Sequence, residues 1–219
     1  MNRYLAALSH VFTVAMKEWG WVDDSPFRRV ATLKEPRGRV RFLSDEERKK
    51  LLEVCRSHSD QLYIVVVLAL STGARLSEIM ALTWKQVDLE RGRITLEDTK
   101  NGERRALPLM GHARELLQEQ AKVRRIDTDL LFPSRRNPQK PVCIQSIFKR
   151  AVQTAGIEDF RFHDLRHSAA SYLAMNGASL AEIADILGHK TLQMVKRYAH
   201  LSEQHTAKVV SAMNEKIFS

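Results

Sequence analysis

The stretch Gln61-Leu62-Tyr63-Ile64-Val65-Val66-Val67-Leu68-Ala69-Leu70-Ser71 constrains this chain more than any other. It is apolar nearly all round, it stops at Gly73, and at this length it reads as a helix buried on every side. Such a helix needs a shell of partners. The flanking sequence supplies them as helices with one apolar face each. Ser44-Asp45-Glu46-Glu47 is a capping box that opens a helix to about Ser57. Leu76 to Leu82 gives a short helix and residues 111 to 125 a longer one. Ile144, Ile147, Phe148, Ala151 and Val152 mark an amphipathic helix ending near Gly156. His163 to Met175 reads as a helix closed at Asn176-Gly177. A second capping box, Ser179-Leu180-Ala181-Glu182, opens a helix that Gly188 stops. Thr191 to Ala199 reads as one more short helix, and the segment 203 to 219 as a tail helix.

The period changes once. Arg93-Ile94-Thr95-Leu96 and Arg105-Ala106-Leu107-Pro108-Leu109 flank Lys100-Asn101-Gly102-Glu103, and Asn-Gly between two β-like runs is a strong hairpin signal. Leu130-Leu131-Phe132-Pro133 is a short strand or extended segment. The expected fold is therefore mainly α with a small antiparallel β-sheet. Residues 42 to 202 form its main domain. Tyr4, Leu5, Leu8, Val11, Phe12, Ala15 and Trp19 lie at helical spacing with no partner close in sequence. Residues 1 to 30 thus read as the last helix of an otherwise missing domain, and 31 to 41 as a basic linker.

The chain carries 35 Lys and Arg against 26 Asp and Glu, a formal charge of +9 that favours a polyanionic partner. Arg28, Arg29, Lys34, Arg37, Arg39 and Arg41 crowd one stretch. A solvated linker and a DNA-contacting linker both fit that run. Cys55 and Cys143 stand in apolar-leaning segments without metal-ligand spacing, and are expected to be buried free thiols in a reducing compartment. The longest apolar run is too short to span a bilayer, and the start lacks a secretory pattern. A cytoplasmic protein with no membrane partner is expected.

Cutting a phosphodiester without a metal demands a nucleophile, an acid for the leaving oxygen and fixed cations for the growing charge. There is no His-Glu-x-x-His, no zinc-spaced cluster, no acidic cluster for two magnesium ions and no phosphate-cradling glycine loop. No cofactor is expected. What the chain offers is Arg75 just after Thr72-Gly73-Ala74, His163 and Arg166 on one helix face, Leu187-Gly188-His189, and Tyr198.

This ordered set resembles the tyrosine recombinases, a family that includes phage integrases and the chromosome-dimer resolving enzymes of bacteria. Their pattern is an Arg after Thr-Gly-x, a Lys in a β-hairpin, a His-x-x-Arg, a Leu-Gly-His and a Tyr about nine residues on. Arg75, Lys100, His163, Arg166, His189 and Tyr198 match it in that order, over roughly residues 41 to 202. The resemblance implies the tyrosine-recombinase catalytic-domain fold, and DNA cleavage and rejoining through a 3′-phosphotyrosine on Tyr198. By the same resemblance Arg75 and Arg166 hold the scissile phosphate and His189 donates a further hydrogen bond to it. Lys100 protonates the departing 5′ oxygen and His163 assists proton transfer at the tyrosine. Double-stranded DNA, a tetramer of subunits on two DNA sites, accessory DNA-bending proteins and a place in the bacterial cytoplasm at the nucleoid are implied as well, as is a core-binding domain ahead of the catalytic one.

A free tyrosine with a pKa of about 10 is ionised in roughly one molecule in a thousand at neutral pH, a deficit of about 4 kcal/mol that such cations would offset. Two readings stand for Glu78: it orients the cluster, or it makes a helix-surface ion pair. The stripe Ala207, Val210, Met213 and Ile217 is either an exchange helix for a neighbouring subunit or packs on its own domain. Two rivals to a recombinase remain from the sequence. Ser179 to Tyr198 also reads as a helix-turn-helix of a non-enzymatic DNA-binding protein, and a type IB topoisomerase shares the chemistry.

Overall fold

The computed structural model describes residues 2–31, 33, 39–97 and 104–218. The chain divides into two compact units, Met1–Arg39 and Val40–Ser219. The first unit holds α1 (Asn2–Lys17) and a 3-10 turn at Pro26–Arg29. The turn folds back on the helix through Phe12 and Phe27, whose rings lie 5.5 Å apart. The Asn2 side chain ties the unit's ends by donating to the Leu33 carbonyl at 2.7 Å and accepting from its N–H at 3.0 Å. Tyr4, Leu8, Val11, Trp19 and Trp21 remain exposed.

The second unit is built around α3 (Asp60–Thr72), which packs against α2 (Asp45–His58), α5 (Gly111–Lys122) and α7 (Phe162–Met175). This is the expected all-round apolar helix: Leu62, Ile64, Val65, Val66, Val67, Leu68 and Ala69 are all buried. Between α3 and α5 lie α4 (Leu76–Met80), β1 (Val87–Asp88), β2 (Arg93–Leu96) and β3 (Arg105–Pro108), the strands in one antiparallel sheet of order β1-β2-β3. Leu96 faces Arg105 and Ile94 faces Leu107, so the two predicted runs do pair. The Asn101-Gly102 turn and Lys100 lie outside the described residues. The two-residue β1 escaped the sequence reading because its length gives no period to detect.

Leu130 and Pro133 make isolated bridges to Thr83 and Pro141, which holds the extended segment against the core. Then come α6 (Gln145–Thr154), α7, α8 (Leu180–Leu187) and α9 (Glu203–Phe218). Both capping boxes are present, at Ser44 with Glu47 and at Ser179 with Glu182. The start of this unit is pinned to α7: the Leu43 N–H donates to Ser168 Oγ at 3.0 Å and Tyr172 donates to the Leu43 carbonyl at 2.8 Å.

Two expectations need correction. Residues 191 to 199 are not an α-helix but two 3-10 turns, Leu192–Met194 and Lys196–Ser202. The inward residues Val195, Tyr198 and Leu201 recur every third position, the period of a 3-10 helix, so the tighter turn keeps them on one side. The second helix of a helix-turn-helix is accordingly missing. Cys55 is a buried free thiol, which burial pushes up to about 12, but Cys143 is exposed. Cys143 sits in an extended stretch before α6, where Ile144 takes the inward place and its neighbour points out. No described helix is long and apolar enough to cross a membrane.

Candidate active site

Three separate stretches of sequence meet at Arg166. This arginine stands one turn into α7 with only 4% of its surface exposed. Its Nη1 donates to the Gly73 carbonyl at 2.7 Å and its Nη2 to the Leu187 carbonyl. One guanidinium thereby ties the end of α3, which leads into Arg75, to the end of α8, which leads into His189. Among the described residues, this takes two of its five N–H donors. Both glycines at these ends are dictated by geometry. Gly73 has φ +63°, and a Cβ there would stand 2.4 Å from Leu187 Cδ2. Gly188 also has φ +63°, and a Cβ there would stand 2.2 Å from an Arg105 nitrogen.

Glu78 is buried beside Arg75 and Arg105 rather than exposed at the helix surface. Its side chain is 7% exposed and accepts from the Arg75 N–H at 2.8 Å, from Arg75 Nη1 at 2.6 Å and from Arg105 Nη2 at 3.0 Å. Burial works against the charged carboxylate, but these donors and the charge of Arg105 outweigh it and hold Glu78 below the ordinary range. Arg105 was not singled out in the sequence. Its signal was its register, since it shares an inward strand face with buried Leu107 and Leu109. The side chain is 10% exposed, and its Nε and Nη1 are buried with no hydrogen-bond partner among the described residues.

The result is a concentration of positive charge. Burial and then the charges of Arg75 and Arg105 pull Arg166 down to about 10, which leaves it protonated at neutral pH. Burial and the same three arginines bring His189 down to about 4, so its imidazole is neutral. His189 Nδ1 is also buried without a partner among the described residues. His163 is lowered by burial and by Arg166. Among the described residues, three guanidinium groups and one carboxylate leave the site with excess positive charge that an anion would balance. Arg75 and His163 also border an open groove of about 600 Å³ lined by Leu76, Met80, Val142 and Ile144.

Tyr198 lies in the 3-10 turn after α8, 2% exposed and packed with Ala170, Ile183, Leu187 and Val195. Burial raises its pKa, against the opposing pull of Arg197 and Arg166. Its hydroxyl is hydrogen-bonded to Nδ1 of His167, a residue the sequence reading did not single out. His167 is one turn beyond His163 on the same helix face, and their rings meet edge-on at 5.2 Å. The structure therefore brings Arg75, His163, Arg166, His189 and Tyr198 into one neighbourhood. Lys100 lies outside the described residues.

Residues 41–205 match the phage integrase family. The chain belongs to that family. Among relatives, a shufflon-specific DNA recombinase of Escherichia coli is 37% identical over 90% of this chain and 50% of its own length. The integrase of Salmonella phage P22 is 32% identical over 92% of this chain and 54% of its own. The chain thus spans about half the length of these relatives. Among solved structures, the catalytic domain of bacteriophage HP1 integrase superposes with a TM-score of 0.62 at 30% identity, covering 79% of this chain and 95% of that one. The mainly helical fold with its small antiparallel sheet is the catalytic-domain fold of tyrosine recombinases.

Proposed function

We propose that this chain cuts and rejoins DNA at specific sites through a 3′-phosphotyrosine on Tyr198, in the integration or excision of a phage or other mobile element. The observation that carries this reading is the anion-seeking cluster of Arg75, Arg105, Arg166 and His189 in the same neighbourhood as a buried tyrosine. In this mechanism Arg75 and Arg166 take the non-bridging oxygens of the scissile phosphate, for which planar guanidinium forks are suited. His189 donates to the same phosphate, His163 assists proton movement at the tyrosine, and Lys100 protonates the leaving 5′ oxygen. The phosphotyrosine ester conserves the energy of the broken bond, so rejoining needs no nucleotide. No group of three or more His, Cys, Asp or Glu among the described residues is arranged to hold a metal. The positive charge is supplied by the protein's own arginines.

Double-stranded DNA is the substrate, engaged by a tetramer across two sites with the help of accessory bending proteins, in the bacterial cytoplasm at the nucleoid. Residues 1–30 belong to the DNA-gripping half and 31–41 join it to the catalytic domain at 42–202. On α9, Val210, Met213 and Ile217 are all exposed, which favours an exchange helix at 203–219 over packing on its own domain. The test is incubation of the chain with a randomised duplex pool in excess EDTA and without nucleotide. A covalent protein–DNA band on a denaturing gel is expected. A band that appears only with added magnesium contradicts the mechanism.

A further inference from the structure

A tyrosine that attacks phosphorus must lose its proton, and the acceptor must lie within hydrogen-bond reach of the hydroxyl. The family resemblance assigns this task to His163. In the structure the Tyr198 hydroxyl is instead bonded to His167 Nδ1. His163 stands behind His167, ring against ring.

We propose that His167 is a catalytic residue whose Nδ1 takes the proton from the Tyr198 hydroxyl as that oxygen attacks the scissile phosphate. The step balances. The tyrosine O–H bond breaks and its proton passes to Nδ1; the new O–P bond forms as the bond from phosphorus to the 5′ oxygen breaks, and that oxygen takes its proton from the leaving-group acid. On rejoining, the 5′ hydroxyl attacks the phosphotyrosine, and the departing tyrosine oxygen recovers its proton from the His167 imidazolium. His163 is the second ring in the relay.

The surroundings of His167 suit this use. The groups that act on it are His163, Asp164 and Arg166 from α7 and Arg197 from the turn that carries Tyr198. Burial first, and then the neighbouring positive groups against the pull of Asp164, bring the imidazole down to about 4, so it is neutral and able to accept. An entering phosphodiester is an anion beside Arg166. It opposes those cations and moves His167 upward, toward the range in which a base works at neutral pH. The base is thereby strengthened only when the substrate is present.

This inference rests on the recombinase reading, and its test separates the two. A nicked duplex recovered by covalent capture from a randomised pool serves as the probe, and single-turnover adduct formation is followed against pH. His167→Ala is expected to slow adduct formation by about 100-fold or more with little change in duplex affinity. Added imidazole restores part of the rate, and the lower limb of the pH profile is lost. His167→Gln, which keeps a hydrogen-bond acceptor but no base, is expected to remain slow. A His167→Gln variant at wild-type rate, or a His167→Ala variant that imidazole does not rescue, overturns the assignment. Where the variants fold poorly, nitrogen NMR of the wild-type histidines decides: a bare Nδ1 on His167 supports the role, and a protonated one overturns it. A wild-type chain that captures no duplex overturns the recombinase reading and this one together, whereas an active wild type with indifferent variants overturns this one alone.

Discussion

Arg105 shows how much of a site can hide in a residue that belongs to no motif. It spans Glu78 on one side and the backbone of Gly188 on the other, and Glu78 in turn holds Arg75. Replacing it by Gln removes one charged donor from the buried carboxylate that holds Arg75. Arg105→Gln is expected to destabilise the fold by about 2 kcal/mol in urea unfolding, and to slow DNA cleavage further by loosening Arg75. A variant of unchanged stability and rate would show Arg105 to be a bystander. The histidines give a pH prediction. His167 and His189 are at about 4 when folded and near 6.5 when unfolded. Between these values the unfolded chain binds more protons, so stability falls as pH drops from about 6.5 toward 4. Thermal unfolding of the wild type across that window should show the loss, and a His167→Ala, His189→Ala double variant should show a flatter curve. An equally steep curve would assign the dependence to carboxylates. Arg75, His163, Arg166, His189 and Tyr198 were legible because each belongs to a short motif. Arg105 and His167 were not, because they become visible only when strand register and helix face meet across the fold.

The ends of α3 and α8 decide the site at the level of elements. Gly73 and Gly188 stop their helices in the left-handed conformation and leave room for Leu187 and Arg105 to approach. Gly156 has a similar φ of +67° with nothing within 4 Å of an added Cβ. Gly156→Ala is therefore expected to cost about 1 kcal/mol of backbone strain, and Gly73→Ala about 3 kcal/mol once the collision with Leu187 is added. Equal costs in urea unfolding would show that the close approach is relieved without penalty. Helix ends were readable from the sequence because capping boxes and glycine stops are local. The 3-10 turn around Tyr198 was not, because the same spacing of Val195, Tyr198 and Leu201 serves a helix of either pitch, and burial chose between them.

For the whole molecule, α3 made the second unit legible, since a helix apolar on all sides admits few arrangements. Which surfaces remain for partners depends on tertiary exposure. On α9, Val209, Val210, Met213, Ile217 and Phe218 are exposed. Removing residues 203–219 is expected to lower Tm by less than about 4 °C, equivalent to about 1 kcal/mol for a unit of this size, while weakening assembly on DNA much more. Outright unfolding of the shortened chain would make α9 a core helix. In the proposed reaction the oxygen of Tyr198 becomes the bond to DNA. The most direct measurement digests the covalent complex formed in EDTA and maps the nucleotide-bearing peptide by mass spectrometry. Modification of Tyr198 alone, absent from a Tyr198→Phe chain that still binds the duplex, is the predicted result. An adduct on another residue, or one that survives Tyr198→Phe, would contradict the account.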